Sequence, residues 1–577
     1  MPDQLTTTPN PRRLALADRL DRYRPALRTL LYGSGGADPN GDGEDVSPFR
    51  PAPRPVQDRA LGPVRRHVVL AASALSGLAG ATLIVATAPV WRLAAPSWRL
   101  TLPGVPHPGS SFFNGATFLA GVVLMTLGWI GLIGRAERQQ GSERRRLAIV
   151  VVVTALWTVP VVLGPPLLSH DVYSYVAQGE LASRGLDPTA HGPIYLGRGP
   201  IMTAADPVWR TNPAPYGPVA IAVSEAVVEV TGHDAAAAVW GWRAVVVVAM
   251  ALTAAGVALI ARSAGVSPAV AIAVGIANPL VLLHLVGGIH NDALMLALLS
   301  LGLAAWMRDR RVLAVVLIAG AVAIKLPAAV ALGFIGWNWF RAEVPVRRRV
   351  AAVAAVTVAG AGIVAVLCVV VGIGPGWVTA LSNTGKIMST FSGTTKLGYV
   401  LSDAARAVGI GLPEQAVVAG TRLAGMALTG VGAVLVLFRS PRLGVVRAVG
   451  LVLVLYVILG PVVWPWYLPA GFALLAAVGL GRYRPSYLVL VFAVSLLVWP
   501  TSVNAVPSLS RYQHLLGLGV VLLIAAAAWG AQWFAQWQHQ RRLERAQRLD
   551  RPGPLGPGGR RDGAPPIPAG AVVTPGR

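Results

Sequence analysis

Residues 169–218 read SHDVYSYVAQGELASRGLDPTAHGPIYLGRGPIMTAADPVWRTNPAPYGP, and this is the longest polar interval between the first and last apolar runs of the chain. Membrane spans need about 20 consecutive apolar residues, and the chain supplies such runs repeatedly on both sides of this stretch. The interval therefore reads as a large loop that a helical bundle delivers to one face of a bilayer. A chain of 577 residues that is 54% hydrophobic and 13% charged, with a mean hydropathy of +0.59, excludes a soluble globular protein. The expected fold class is an all-α polytopic membrane protein of about thirteen transmembrane helices with a large extracytoplasmic first loop, residues 169–236.

Charge sets the orientation. The net charge of +24 does not point to nucleic acid, because the arginines cluster in short linkers between apolar runs and in the two tails. That is the positive-inside pattern. The linker RAERQQGSERRR between the second and third spans places the amino terminus in the cytoplasm and Ser169 onward outside. Residues 1–66 and 536–577, rich in Pro, Gly and Arg, read as disordered cytoplasmic tails around a transmembrane domain over 67–535. Within the first tail, Arg12–Tyr32 carries leucines at helical spacing among arginines, suited either to an anionic membrane surface or to a solvated helix. The one cysteine, Cys368, lies in an apolar run, so there is no disulfide framework and no cysteine metal cluster.

Inside the loop, Asp171 to Arg184 runs without a breaker and predicts a short helix capped by Ser169 or Asp171. A second short helix follows NPAPYGP and carries Glu225 and Glu229. Further on, GGIHND returns to the outer face. The apolar stretch 312–340 has arginine clusters at both ends, so it must turn around, and Lys325-Leu326-Pro327 marks the break. A second outer loop begins at Gly374. The chain holds only three lysines, Lys325, Lys386 and Lys396, and all three fall on or near the outer face in this topology.

Several of these residues suit chemistry. Asp171, beside His170 and one helical turn from Tyr175, reads either as a helix cap or as a general base for an attacking hydroxyl. Asp292 poses the same choice, with His290 and Asn291 as sugar-binding or merely satisfied loop groups. Arg243 and the lysines suit an anionic group such as phosphate, and Arg243 equally suits snorkelling. Tyr216, Trp466 and Tyr467 suit either sugar stacking or an interfacial aromatic belt. There is no P-loop, no HExxH helix and no Cys/His metal spacing, and no cofactor or metal is predicted.

The order of HDVYSYVAQG, NPAPYGP, HND and the KLP break on one face resembles the polytopic C-type (GT-C) glycosyltransferases, and more narrowly the actinobacterial polyprenol-phosphate-mannose-dependent α-1,6-mannosyltransferases. The resemblance runs over about residues 67–535. It implies a polyprenyl-phosphate mannose donor, a lipid-linked mannan acceptor of lipomannan type, membrane lipids as surroundings and transfer at the outer face with inversion. It further implies that Asp171 is the base, Asp292 the second acidic position, and Arg243 and Lys325 the basic groups near phosphate. A doubled acidic motif found in many C-type enzymes is absent, since His170 stands beside a lone Asp171. A transferase for another polyprenyl-linked hexose or pentose, or a lipid or solute transporter with a broken-helix site, remains the alternative.

Overall fold

The computed structural model describes residues 63–87, 111–138, 141–340, 343–384, 391–496 and 513–549. The Arg12–Tyr32 patch and Lys386 lie outside the described residues. Every regular element described is helical. In chain order they are α1 (Pro63–Thr87), α2 (Ser111–Glu137), α3 (Glu143–Leu163), α4 (Asp171–Ser183), α5 (Pro200–Ala204), α6 (Pro218–Val230), α7 (Ala235–Ser263), α8 (Pro268–Gly275), α9 (Asp292–Trp306), α10 (Arg311–Val322), α11 (Val330–Trp337) and α12 (Val346–Val371). There follow α13 (Gly376–Thr384), α14 (Gly393–Ala407), α15 (Glu414–Leu443), α16 (Val445–Leu459), α17 (Leu468–Ala477), α18 (Arg484–Leu496) and α19 (Gln513–Leu549).

Among the described residues seven helices are long and apolar enough to cross a bilayer, or eight if the bent pair Val281–Gly287 and Asp292–Trp306 is one span. Four apolar helices are shorter, Arg311–Val322, Leu326–Trp337, Val445–Leu459 and Pro465–Ala477. The sequence reading had divided the same apolar runs into about thirteen spans. The difference has a geometric cause: at 1.5 Å per residue, a helix of 10–15 residues covers only about 15–23 Å of a ~30 Å hydrocarbon layer. Proline and glycine break these runs. Thus α10 and α11 form the turned-back pair expected around Lys325, and a 112° bend separates the π-helical turn Val281–Gly287 from α9.

The helices divide into an inner set and a lipid-facing set. Helices α8, α9 and α17 bury nearly whole circumferences, while α7 buries one face and leaves Trp240, Val248 and Leu252 exposed on the other. By contrast α12, α15 and α19 keep most of their apolar side chains uncovered by protein, as Val358, Leu423 and Leu523 illustrate. A helix apolar all round needs lipid or protein on every side, so these three border the hydrocarbon. The long α19 carries residues 536–549, the start of the stretch expected as a tail, on in its helix, since Gln, Arg, Leu, Glu and Ala all favour helix and no breaker arrives before Pro552.

The two ends of the bundle differ in chemistry. At one end the arginine-rich linkers meet: Glu143 Oε1 accepts from Ser267 Oγ and Ala269 N, both at 2.9 Å. Arg308 donates to the Leu259 carbonyl at 3.0 Å, and Arg484 pairs with Glu137. The other end gathers the loops around α4. There α4 lies on α6, clamped by the buried Glu180 carboxylate, which accepts from Arg184 Nε at 2.8 Å and contacts His233 Nδ1 at 2.7 Å. Asp187 ties the same loop to the second one. Its Oδ1 accepts from Thr189 N at 2.7 Å and its Oδ2 from Gly374 N at 3.0 Å.

Candidate active site

Helix α3 stops at Leu163 because Gly164-Pro165-Pro166 follows, and a proline cannot continue the ladder. Its last carbonyls are not left bare. The Arg243 guanidinium, 1% exposed, donates from one nitrogen to the carbonyls of Val162 and Gly164. It does not line the cavity described below. Arg243, expected near a phosphate, is placed against a helix end, where a cation is favoured by the orphan carbonyls and the helix dipole.

From that anchor the chain is turned into the site. Leu168 adopts a left-handed conformation at φ 62°, and Leu167 N donates to the Gly287 carbonyl at 2.8 Å. Ser169 Oγ accepts the backbone N–H of Asp171 at 3.1 Å. The N-cap position itself falls on His170, which makes no side-chain cap bond, rather than on Ser169 or Asp171 as expected; the Asp171 carboxylate, on the first residue of α4, lines the cavity.

The Leu167–Gly287 bond carries GGIHND to the same place. A side chain on Gly288 would put a Cβ 2.5 Å from the His284 carbonyl and 2.7 Å from the His290 ring. Ile289, at φ 54°, is a β-branched residue in the left-handed region, a strain of about 1–3 kcal/mol that persists only where surroundings enforce it. The outcome is a fully buried His290 whose Nδ1 lies 3.4 Å from Asp171 Oδ2. Its ring stacks on Trp466 at 4.0 Å and 15°. Neither His290 nor Asn291, both expected near sugar, lines the cavity. They sit behind Asp171 and Tyr175 as support, with Asn291 Oδ1 3.5 Å from the Tyr175 hydroxyl. Tyr175, 1% exposed, is likewise off the cavity and packs edge-on against Tyr216 at 5.4 Å.

A second stitch joins the proline-tyrosine turn to the KLP break. Gly217 N donates to the Ile324 carbonyl at 3.2 Å and Val219 N to that of Ala323 at 2.9 Å. The approach demands glycine, since a Cβ at 217 would lie 2.4 Å from the Ala323 carbonyl oxygen. Lys325 therefore emerges beside Tyr216. Its ammonium donates to Asp292 Oδ2 at 2.5 Å and stands over the rings of Tyr467 and Tyr216, at 4.7 and 5.6 Å. Burial, and then the Asp171 and Asp292 carboxylates, push the Tyr216 phenol well above its usual range, so it stays a proton donor.

These groups close around a cavity of about 750 Å³. His170, Asp171, Tyr216, Asp292 and Lys325 form its polar wall, and Trp466 and Tyr467 its aromatic edge. Met426, Leu453, Tyr456 and Val457 from α15 and α16 form an apolar wall. Among the lining residues that sequence reasoning missed are Asp206, whose carboxylate lies 3.4 Å from His170 Nδ1, and Trp209. The Asp-Pro pair at 206–207 signalled a turn but nothing of its destination. Lys396 is corrected in the other direction. It lies on α14 against Gly517 of α19, 2.9 Å from where that glycine's Cβ would be, and does not line the cavity. Among the described residues no group of three or more His, Cys, Asp or Glu side chains is assembled as a metal site.

An all-helical membrane protein whose loops gather carboxylates, one lysine and aromatic rings around a half-apolar cavity is built as a membrane-embedded transferase. The chain belongs to the α-(1→6)-mannopyranosyltransferase family. The family model described as "Alpha-(1->6)-mannopyranosyltransferase, N-terminal domain" matches residues 73–341, and that described as "MptB C-terminal domain" matches residues 394–531. The chain is 33% identical over 358 residues to α-(1→6)-mannopyranosyltransferase A of Mycobacterium tuberculosis, covering 60% of this chain and 68% of that protein. It is 33% identical over 414 residues to a probable α-(1→6)-mannopyranosyltransferase of Mycolicibacterium smegmatis, covering 66% and 72%. Against α-(1→6)-mannopyranosyltransferase B of Corynebacterium glutamicum it is 31% identical over 401 residues, covering 63% and 66%. No solved structure matches it. The protein is thus a glycosyltransferase, with mannosyl transfer as its activity.

Proposed function

We propose that the protein moves mannose from a polyprenyl-phosphate mannose donor to a lipid-linked α-(1→6)-mannan acceptor of lipomannan type, at the outer face of the membrane. The observation that carries this reading is the cavity itself, which joins a carboxylate and an ammonium at one wall to a largely apolar wall at another. A nucleotide-sugar site has no use for the apolar wall. A polyprenyl-phosphate sugar needs both, with its phosphate against Lys325 and its isoprenoid along Met426, Leu453, Tyr456 and Val457. Outward orientation is supported by the arginine linkers at the opposite end of the bundle, which favour the cytoplasm. It entails a catalytic domain over 67–535 and both termini inside.

In the proposed step the acceptor hydroxyl gives its proton to an Asp171 oxygen while its oxygen forms a bond to the anomeric carbon. The bond from that carbon to the phosphate oxygen breaks, and its electron pair leaves with polyprenyl phosphate. Lys325 balances the charge that develops there. Phosphate needs no general acid to depart. Because attack and departure occur on opposite faces, a β-linked donor gives an α product.

The test offers the purified protein in nanodiscs three labelled donors in turn: polyprenyl-phosphate mannose, polyprenyl-phosphate arabinose and a nucleotide-linked mannose, each with a mannan lipid acceptor. Transfer from the first alone, with α-(1→6) linkage, is expected. Transfer from the nucleotide sugar, or from the pentose in preference to mannose, overturns the donor assignment.

A further inference from the structure

We infer that the cavity wall formed by His170, Asp206 and Trp209 is the subsite for the terminal sugar of the acceptor. The inference rests on the transferase reading above. In-line displacement requires the acceptor hydroxyl and the leaving phosphate on opposite sides of the anomeric carbon. Lys325 and the apolar wall of α15 and α16 take the donor's phosphate and lipid, so the acceptor must come against the remaining polar wall, next to the base. That wall is the residue before Asp171 and the loop it contacts, 206–209.

The loop is built as a rigid turn. Asp206 Oδ1 accepts from Val208 N at 2.9 Å, and its backbone carbonyl accepts from Trp209 N at 2.8 Å. Arg210 donates to the carbonyls of Ala205 and Thr203 at 2.9 and 2.6 Å, and Asn212 to that of Val208 at 2.6 Å. No such investment is needed for a spacer. It holds the second Asp206 oxygen 3.4 Å from His170 Nδ1 and presents Trp209 to the same cavity. Each Asp206 oxygen has two lone pairs, so after these contacts one remains on each for a sugar hydroxyl. An indole with a carboxylate beside it matches a pyranose, whose C–H face packs on the ring while its hydroxyls bond to the carboxylate. No other lining group on that wall offers both.

The experiment measures binding and transfer separately, on the full-length protein in nanodiscs, with octyl α-mannopyranosyl-(1→6)-α-mannopyranoside as acceptor probe. Binding is read by saturation-transfer NMR, and initial rates use polyprenyl-phosphate mannose as donor. Asp206→Asn and Trp209→Leu should each raise the probe's Kd and KM about tenfold, the worth of one hydrogen bond to a charged group for the first and of an aromatic face contact for the second. The donor KM should stay within twofold, which also certifies folding; His170→Gln replaces either variant that does not fold. Unchanged probe affinity in the variants, equal rises in donor and acceptor KM, or no probe binding by the wild type overturns the subsite. Wild type that binds the probe but transfers nothing counts against the donor assignment, while loss of that binding in Asp206→Asn still supports the subsite.

Discussion

Replacing Lys325 by methionine removes the one lysine that lines the cavity among the described residues while keeping the length of the side chain. Two effects follow. The Asp292 carboxylate, 5% exposed, loses the ammonium that donates to it at 2.5 Å. Breaking a buried pair from one side costs roughly 3–5 kcal/mol, and about 3 kcal/mol is apt here because both side chains border a cavity. With the proposed donor, the leaving phosphate also loses the ammonium assigned to it, an electrostatic contact whose removal lowers kcat about a hundredfold to a thousandfold. The double variant Lys325→Met/Asp292→Asn separates the two, since it leaves no uncompensated charge. Thermal unfolding of detergent-solubilised protein should show a destabilised single variant and a largely restored double variant. Mannosyl transfer should stay at least a hundredfold down in both. A single variant within tenfold of the wild-type rate, or a double variant that regains activity with stability, would refute the phosphate role and leave Lys325 as a mere counterion to Asp292.

Arg243→Met should lower stability, because hydrogen bonds from a charged group to the Val162 and Gly164 carbonyls are worth about 1.5–3 kcal/mol each; the donor KM of the folded fraction should not change, and a selective rise in it would restore Arg243 to the phosphate. Gly217→Ala must push its Cβ away from an Ala323 carbonyl oxygen only 2.4 Å distant, a backbone shift costing about 1–3 kcal/mol that moves Lys325, so both melting temperature and rate should fall; a variant equal to wild type in both would show that the turn tolerates a side chain. Hydrogen bonding to Glu180 holds the His233 imidazole above its ordinary 6.5. That raised value means the clamp's contribution is complete below 6.5 and is lost as pH rises through the folded value. NMR titration should place the His233 midpoint above 6.5, returning to it in Glu180→Gln, and a wild-type midpoint at or below 6.5 contradicts the clamp.

Much of the local structure was legible because it depends on neighbours in sequence. The helix from Asp171, the turned-back pair at Lys325-Leu326-Pro327 and the short helix after NPAPYGP follow from capping residues, prolines and charge at the ends of apolar runs. The class of membrane protein follows from composition. What was not legible depends on contacts between residues more than 30 positions apart. Arg243 reads the same whether it meets a phosphate or the end of α3, and only the Val162 and Gly164 carbonyls decide between them. His290 and Asp292 are two residues apart, yet one is buried behind Asp171 and the other, on the first residue of α9, lines the cavity. Asp206 carried no pattern beyond a turn. The span count differs because hydropathy registers an apolar run without registering where a short helix ends inside it.

The central claim is that Asp171 accepts the acceptor's proton. Its direct measurement is mannosyl transfer from radiolabelled polyprenyl-phosphate mannose to a mannan lipid in membranes carrying wild type or Asp171→Asn at equal protein level. The amide keeps the size of the side chain and the backbone bond to Ser169 Oγ, so folding and donor binding should persist while transfer falls by about a hundredfold to ten-thousandfold, the usual worth of a positioned general base. Transfer by Asp171→Asn at the wild-type rate would contradict the account and leave Asp171 as only the first residue of its helix.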